Sequence, residues 1–276
     1  MEAASCMVRF PEMRWMVSLH CRPPVPVPDV RKRPVSDSRA CTIPRMNRPA
    51  ADWMSKLPAN RLIAEFSVWS ADLVRLADDM ARIRPYADIL HIDVADGVFA
   101  PAFLFFPDVV ARIRAVSDLP IHIHLMVDDA VLISQIEQFA EAGTDLMSFH
   151  VENEAVAEAA LEKIAALGMK AGMVLRVETP VARAAKWLPR LDMLTLLGTA
   201  IGVKGQGLDP AATDRLREAA GLIEASGRRI VLAADGGIRE NTVPLLRAAG
   251  AETVVLGSLA FGAEDLGKRM AWLASL

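Results

Sequence analysis

Cysteine is scarce in this chain and confined to one end of it. There are three, Cys6, Cys21 and Cys41, and from residue 42 onward the sequence has no thiol. That excludes a disulfide framework and a cysteine nucleophile from the larger part of the chain, and a cytoplasmic enzyme is expected. Long apolar runs are missing too. Hydrophobic residues make up 53% of the sequence, yet no run reaches the roughly 18 residues a bilayer-spanning helix needs. Excess positive charge is also absent. The net charge is −3, which gives no electrostatic basis for binding nucleic acid.

What charge there is lies unevenly. Residues 1–57 carry ten Lys and Arg against five Asp and Glu, a net of +5, whereas residues 58–276 carry 21 against 29, a net of −8. Eight of the 17 prolines also fall in the first stretch, several of them in Pro23-Pro24-Val25-Pro26-Val27-Pro28. Residues 1–57 are therefore expected to be a Pro/Arg-rich irregular extension, and a start codon assigned upstream of a true start at Met46 or Met54 would produce the same pattern. The acidic residues and the lack of an apolar core argue against a secretory signal. Cys6, His20, Cys21 and Cys41 match no zinc spacing.

From residue 58 the pattern changes to alternating strand-like and helix-period segments. Apolar runs occupy 61–67, 88–94, 120–126, 146–151, 170–175, 192–197, 229–234 and 252–256. Helical periodicity fills 70–84, 107–117, 130–143, 153–167, 179–188, 210–226, 240–249 and 263–275. Eight such pairs in about 220 residues predict a single-domain (β/α)8 TIM barrel over 58–276, with a doubly wound open sheet as the competitor. Ser70 or Asp72 is placed to cap the first helix, while Thr179-Pro180 and Asp209-Pro210 open the fifth and sixth. Gly143, Gly168 and Gly250 end helical segments.

Four of the five histidines interrupt the second, third and fourth apolar runs, as His91, His122, His124 and His150. A lone histidine in a strand is ordinarily a hydrogen-bonded core residue. A cluster of charged groups in buried strands is harder to explain without a partner that offsets their desolvation. Residues two apart in a strand share a face, so His91 and Asp93 point together, as do His124 and Met126. In a barrel these strand ends meet Asp235, at the end of the seventh run, at the C-terminal mouth. Two imidazoles and two carboxylates form a shell for one divalent cation, zinc first, with manganese, iron or cobalt as alternatives. His122 lies deeper and is expected to pack and hydrogen-bond, and His150 and Glu152 to orient ligands if they act at all.

Gly236-Gly237 follows the seventh run and Gly257-Ser258 the eighth. Barrels commonly hold a phosphate on the backbone N–H groups of these two loops. A cation, two carboxylates and a phosphate grip together suggest acid–base chemistry on a sugar phosphate. One aspartate removes the proton next to the carbonyl and the other returns one to the opposite face, with an enediolate between.

On these residues the chain resembles the ribulose-phosphate 3-epimerase family, from about Leu62 to Phe261. Phe66-Ser67-Val68-Trp69-Ser70-Ala71-Asp72 is similar to the family's P-S-I-L-S-A-D, and residues 91–101, HIDVADGVFAP, to H-x-D-x-M-D-G-x-F-x-P. His124-Leu125-Met126, His150-Val151-Glu152, Gly205-Gln206, Asp235-Gly236-Gly237 and Gly257-Ser258 resemble further motifs in the family's order. The resemblance implies inversion at C3 of a ketose phosphate, D-ribulose 5-phosphate/D-xylulose 5-phosphate or a four- to six-carbon relative. It implies His91, Asp93, His124 and Asp235 as metal ligands and Asp93 and Asp235 as the catalytic pair. Ser67, Met126, Gly205 and Gln206 would meet the substrate, and Gly236, Gly237, Gly257 and Ser258 its phosphate. A homo-oligomer is expected, as in many family members, with no nucleic-acid or membrane partner.

The departures fall on the pocket lining. Ala95 replaces the family methionine, Val98 and Ala102 stand where His and Asn occur, Arg176-Val177 replaces N-P, and the glycine-rich loop from Gly198 to Gln206 is one residue shorter. Arg176 has two readings, contact with a second anionic or hydroxyl-rich part of the substrate, or a supporting role away from it. Lys204 either adds charge to the phosphate grip or is a solvated loop residue. Decarboxylases and hexulose-phosphate synthases on related barrels carry D-x-K-x-x-D. Asp93 stands at the lysine position of 91–96, which disfavours them. The remaining alternative is a sugar-phosphate-binding barrel without catalysis, which has no need of two acid–base aspartates.

Overall fold

Short runs of branched aliphatic residues, buried on both sides, become eight parallel strands: β1 (Ile63–Ser67), β2 (Ile89–Ala95), β3 (Ile121–Met126), β4 (Leu146–His150), β5 (Lys170–Leu175), β6 (Met193–Leu197), β7 (Val231–Asp235) and β8 (Thr253–Leu256). This is a computed structural model and describes residues 48–276. The expectations for residues 1–47, including Cys6, His20, Cys21 and Cys41, lie outside the described residues. Each strand pairs in parallel with the next, and β8 returns to β1 through Ile63↔Thr253 to Phe66↔Leu256. The sheet is a closed TIM barrel, and the open doubly wound alternative is excluded.

Helices α1 (Leu76–Ile83), α2 (Pro107–Val116), α3 (Asp129–Glu141), α4 (Ala157–Ala166), α5 (Ala212–Ser226), α6 (Val243–Ala248), α7 (Ser258–Phe261) and α8 (Leu266–Ala274) surround it. Outward strand residues such as Ile92, Ile123 and Phe149 are buried among the apolar faces of these helices. Among the described residues no helix is long and apolar enough to cross a membrane.

Two helical expectations need correction. The fifth segment, 179–188, holds two short 3-10 turns, Val181–Ala184 and Leu188–Arg190, in place of a helix. Pro189 has no N–H to donate back to Ala185, so an α-helical ladder cannot run through the end of the segment. The first helix begins at Leu76 rather than near residue 70. Ser70 ends a 3-10 turn, and the Asp72 carboxylate accepts the N–H of Val74, closing a turn ahead of the helix. The last expected segment, 263–275, holds α8, and the short α7 precedes it.

Inside the barrel the side chains change character from bottom to top. At the N-terminal ends of the strands, Ile63, Ile89, Leu146, Met193 and Val231 form an apolar cluster with Trp53, which comes from a 3-10 turn at Trp53–Lys56. The middle is polar, with Glu65, His91, His122, Ser148 and Thr253 all buried. At the C-terminal ends stand Ser67, Asp93, His124, His150 and Asp235.

Candidate active site

Strand alternation and barrel closure bring His91 and Asp93 of β2, His124 of β3 and Asp235 of β7 to one point. A ligand atom from each lies within 4.8 Å of those of the others. His91 Nε2 is 3.1 Å from Asp93 Oδ1 and 4.0 Å from Asp235 Oδ2. His124 Nδ1 is 3.3 Å from Asp93 Oδ1 and 3.8 Å from Asp235 Oδ2. Bonds of about 2.0–2.1 Å in a tetrahedral zinc site place ligand atoms roughly 3.4 Å apart. The observed spacings bracket that value, so these four donors fit one small divalent cation.

Behind this point two hydrogen-bonded chains run into the barrel. His91 Nδ1 is 2.8 Å from Glu65 Oε1, which also meets His122 Nδ1, and His122 Nε2 is 2.6 Å from Ser148 Oγ. On the other side His124 Nε2 is 2.9 Å from His150 Nε2, and His150 Nδ1 is 3.1 Å from Glu152 Oε2. Glu152 in turn accepts the Thr179 hydroxyl. His122 thus packs and hydrogen-bonds as expected, and His150 and Glu152 support His124 from behind. Sequence reasoning missed Glu65. Its signal was present, an acid inside the apolar run 61–67 and two residues from Ser67, hence on the same inward face.

Above the four donors opens a cavity of about 420 Å³. Asp93, His124 and Asp235 form part of its wall, and His91 lies sealed beneath. Ser67 and Met126 line it as well, and the Ser67 hydroxyl donates to Asp93 Oδ2 at 3.0 Å. Gly236, Gly237, Gly257 and Ser258 line one side, and Gly205 and Gln206 the loop after β6. The glycine pair is required by shape. Gly236 and Gly237 have φ of 88° and 70°, and a Cβ on Gly237 would lie 2.8 Å from Leu208 Cα. Gly198 has a similar reason, since a Cβ there would meet Gly236 O at 2.7 Å.

The two basic residues go different ways. Arg176 is not on the cavity wall. Its guanidinium donates to Phe99 O at 2.9 Å and lies 4.1 Å over the Phe99 ring. Phe99 in turn rests on His150, ring centroids 4.9 Å apart. Lys204 is on the wall, donating to Trp69 O at 2.7 Å with its ammonium 4.3 Å above the indole. Arg239 lines the same cavity, though nothing singles it out in the sequence. Of the altered positions, Ala95 is buried with Ala100 and Met126, whereas Val98 is exposed.

The two aspartates titrate in opposite directions. Burial pushes the Asp235 carboxyl up to about 6, with His91 opposing the shift and the Asp93 carboxylate adding to it. Burial disfavours ionised Asp93 too, but His91 and His124 outweigh it and hold that carboxyl well below the usual range. His91 is raised well above the ordinary imidazole value, because Asp93 and Glu65 outweigh its own burial. Burial lowers His150 to about 4.

A ribulose-phosphate 3 epimerase family model matches residues 63–261. The chain belongs to that family. It is 35% identical over 204 residues to ribulose-phosphate 3-epimerase 1 of Cupriavidus necator, covering 72% of this chain and 84% of that protein. With the ribulose-phosphate 3-epimerase of Bacillus subtilis it shares 33% over 201 residues, 72% and 92% of the two chains. With that of Escherichia coli K12 it shares 35% over 204 residues, 73% and 90%. As a member of the ribulose-phosphate 3-epimerase family, the chain is a carbohydrate epimerase of the isomerase class. Among solved structures it is similar to 3-hexulose-6-phosphate synthase, with a TM-score of 0.57, 16% identity, and 78% of this chain and 99% of that one covered. It is similar as well to orotidine 5'-phosphate decarboxylase from Pyrococcus horikoshii, with a TM-score of 0.56, 11% identity, and 77% and 97% covered. At those identities the likeness concerns the barrel alone.

Proposed function

We propose that this epimerase is a metal-dependent ketose-phosphate 3-epimerase that works by two-aspartate acid–base chemistry. The observation that carries the reading is the pairing of Asp93 with Asp235. They come from different strands, β2 and β7, converge on one point and both border the same cavity. An inversion needs two such groups, one to take the proton and one to return it on the other face. His91, Asp93, His124 and Asp235 would hold the cation, zinc first, then manganese, iron or cobalt. When bound, it would polarise the substrate carbonyl and favour the enediolate.

The remaining steps belong to the chain's own groups. One aspartate takes the C3 proton, and the other returns a proton to the opposite face, so the pair exchanges roles between forward and reverse turnover. Ser67, fixed on Asp93, orients that carboxylate and meets the substrate. Met126, Gly205 and Gln206 border the sugar, and Gly236, Gly237, Gly257 and Ser258 present their N–H groups to the phosphate. The substrate we assign is D-ribulose 5-phosphate/D-xylulose 5-phosphate, or a related four- to six-carbon ketose phosphate. A homo-oligomer belongs to the same reading, supported by the exposed Val98, Phe103 and Phe106 on the loop after β2.

The test is conversion of D-ribulose 5-phosphate to xylulose 5-phosphate, followed by NMR with the full chain loaded separately with each metal. Conversion that stops on chelation supports the reading. No conversion of any four- to six-carbon ketose phosphate, with metal verifiably bound, would overturn it and leave a binding barrel.

Zinc affinity should also depend on pH. Coordination needs neutral imidazole, and His91 without a cation holds its proton more strongly than an ordinary histidine. The free site therefore binds protons that the zinc-loaded site does not, so apparent affinity rises with pH. The expected slope is about tenfold per pH unit for each proton displaced. Chelator competition across neutral pH measures it, and a flat profile contradicts coordination through His91.

A further inference from the structure

We propose that Glu65 is a positioning residue for the cation site. It holds His91 by Nδ1–H, which leaves Nε2 for a cation bound between Asp93 and Asp235. The proposal rests on the metal reading above. Glu65 lies before the motif that begins at Phe66, and its partner His122 lies before His124-Leu125-Met126. Neither belongs to the motifs that define the epimerase resemblance.

With His91 Nε2 given to a cation, the hydrogen-bond directions close in one way. An ionised carboxylate only accepts. His91 Nδ1, 2.8 Å from Glu65 Oε1, must therefore carry its hydrogen on that side. His122 Nδ1 donates to the same oxygen, which leaves His122 Nε2 to accept from the Ser148 hydroxyl at 2.6 Å. In the free site His91 Nε2, 3.1 Å from Asp93 Oδ1, donates to that carboxylate; a cation would replace this proton and take the Nε2 lone pair while Nδ1–H stays on Glu65.

The burial of Glu65 has the same explanation. Its side chain is sealed from solvent in the middle of the barrel, and among the described residues its ion-pair partners are the imidazoles of His91 and His122, with no Lys or Arg in reach. An isolated buried carboxylate is costly. A cation on the far side of His91 gives this one a counter-charge, relayed through the ring. Carboxylate–histidine–metal arrangements of this kind raise the basicity of the ligating nitrogen.

Glu65, His91 and His122 also lie close enough together to suggest a second ion. The distances speak against it. Contacts of 2.8 and 2.5 Å are hydrogen-bond lengths, shorter than the roughly 3.4 Å between ligands that share a zinc. Among the described residues the structure therefore assigns one ion, with Glu65 outside its ligand set.

The test compares wild type with Glu65→Gln, using zinc as the probe and the full chain both loaded and chelator-stripped. Glutamine keeps the shape, and its amide can face Thr253 Oγ1, which stands 3.4 Å from Glu65 Oε2. The expected result is one zinc per wild-type chain and a dissociation constant that rises roughly 10- to 100-fold in the variant. An unchanged constant, with only the melting temperature of the stripped protein lowered, makes Glu65 merely structural and overturns the proposal. Two zinc ions per wild-type chain, one lost in Glu65→Gln, overturn it as well, by making Glu65 a ligand. Should the variant fail to fold, 15N NMR of zinc-loaded wild-type protein decides. His91 protonated at Nδ1 and bound through Nε2 supports the proposal, and binding through Nδ1 refutes it. Wild-type protein that binds no zinc removes the metal reading itself, an outcome distinct from the others.

Discussion

Asp235→Asn abolishes exchange of the substrate's C3 proton and, in the chelator-stripped protein, makes the fold more stable. The first effect follows from removing one of two proton-transfer groups, a loss on the order of 10²- to 10⁴-fold, with any loss of bound metal adding to it. The second follows from linkage. The Asp235 carboxyl is raised from the ordinary 3.8 to about 6 by burial. Its contribution to stability is fully present below about 3.8 and is lost as pH rises through about 6. Above that, the fold holds a buried carboxylate that would be better solvated when unfolded, at a cost of up to about 3 kcal/mol. Asparagine carries no charge at any pH. The variant should therefore melt higher than wild type at neutral pH, lose that advantage as pH falls from about 6 to about 3.8, and match wild type below that. Thermal melts of stripped protein across that range, beside a C3 exchange assay, measure both effects. A variant less stable at neutral pH would mean that the Asp235 carboxylate is held by partners rather than poised for chemistry.

The second large effect lies at the opposite end of the barrel. Trp53→Ala should destabilise the protein by about 3–5 kcal/mol and leave turnover per folded molecule unchanged. Trp53 is 8% exposed and packs on Ile63, Ile89, Leu146, Met193 and Val231 at the strands' N-terminal ends. Its removal opens a cavity that rigid strands cannot collapse into. The active residues stand at the other ends of the same strands, so their geometry is independent of it. Denaturant unfolding with matched activity assays is the measurement. An unchanged midpoint would show that the indole contributes nothing to the barrel floor.

The barrel was legible because parallel strands buried on both faces read as continuous apolar runs, and proline and glycine mark the joins. The donor cluster was legible for the converse reason: His91, Asp93 and His124 interrupt such runs, and period-two alternation puts them on the inner face. Glu65 obeys the same rule. It went unnoticed because a single acid in a short run, with no histidine or second acid in the same run, gives no sign of a cluster. Trp53 was illegible because its partners come from five strands spread over most of the chain, and no local pattern joins a residue behind a proline-rich stretch to them. Arg176 could not be placed from sequence because its contact, Phe99 O, lies 77 residues away on the loop after β2. The failed fifth helix was a local error, since Pro189 was visible and should have outweighed the apolar spacing before it.

The central claim is that Asp93 and Asp235 move protons to and from one carbon on opposite faces. It is tested most directly by incubating zinc-loaded protein with D-ribulose 5-phosphate in deuterium oxide and following C3 by NMR. The account expects solvent deuterium at C3 of the xylulose 5-phosphate formed, growing into the recovered ribulose 5-phosphate, with neither seen in Asp93→Asn or Asp235→Asn. Epimerisation that retains the original C3 hydrogen, or exchange that persists in either variant, would contradict it.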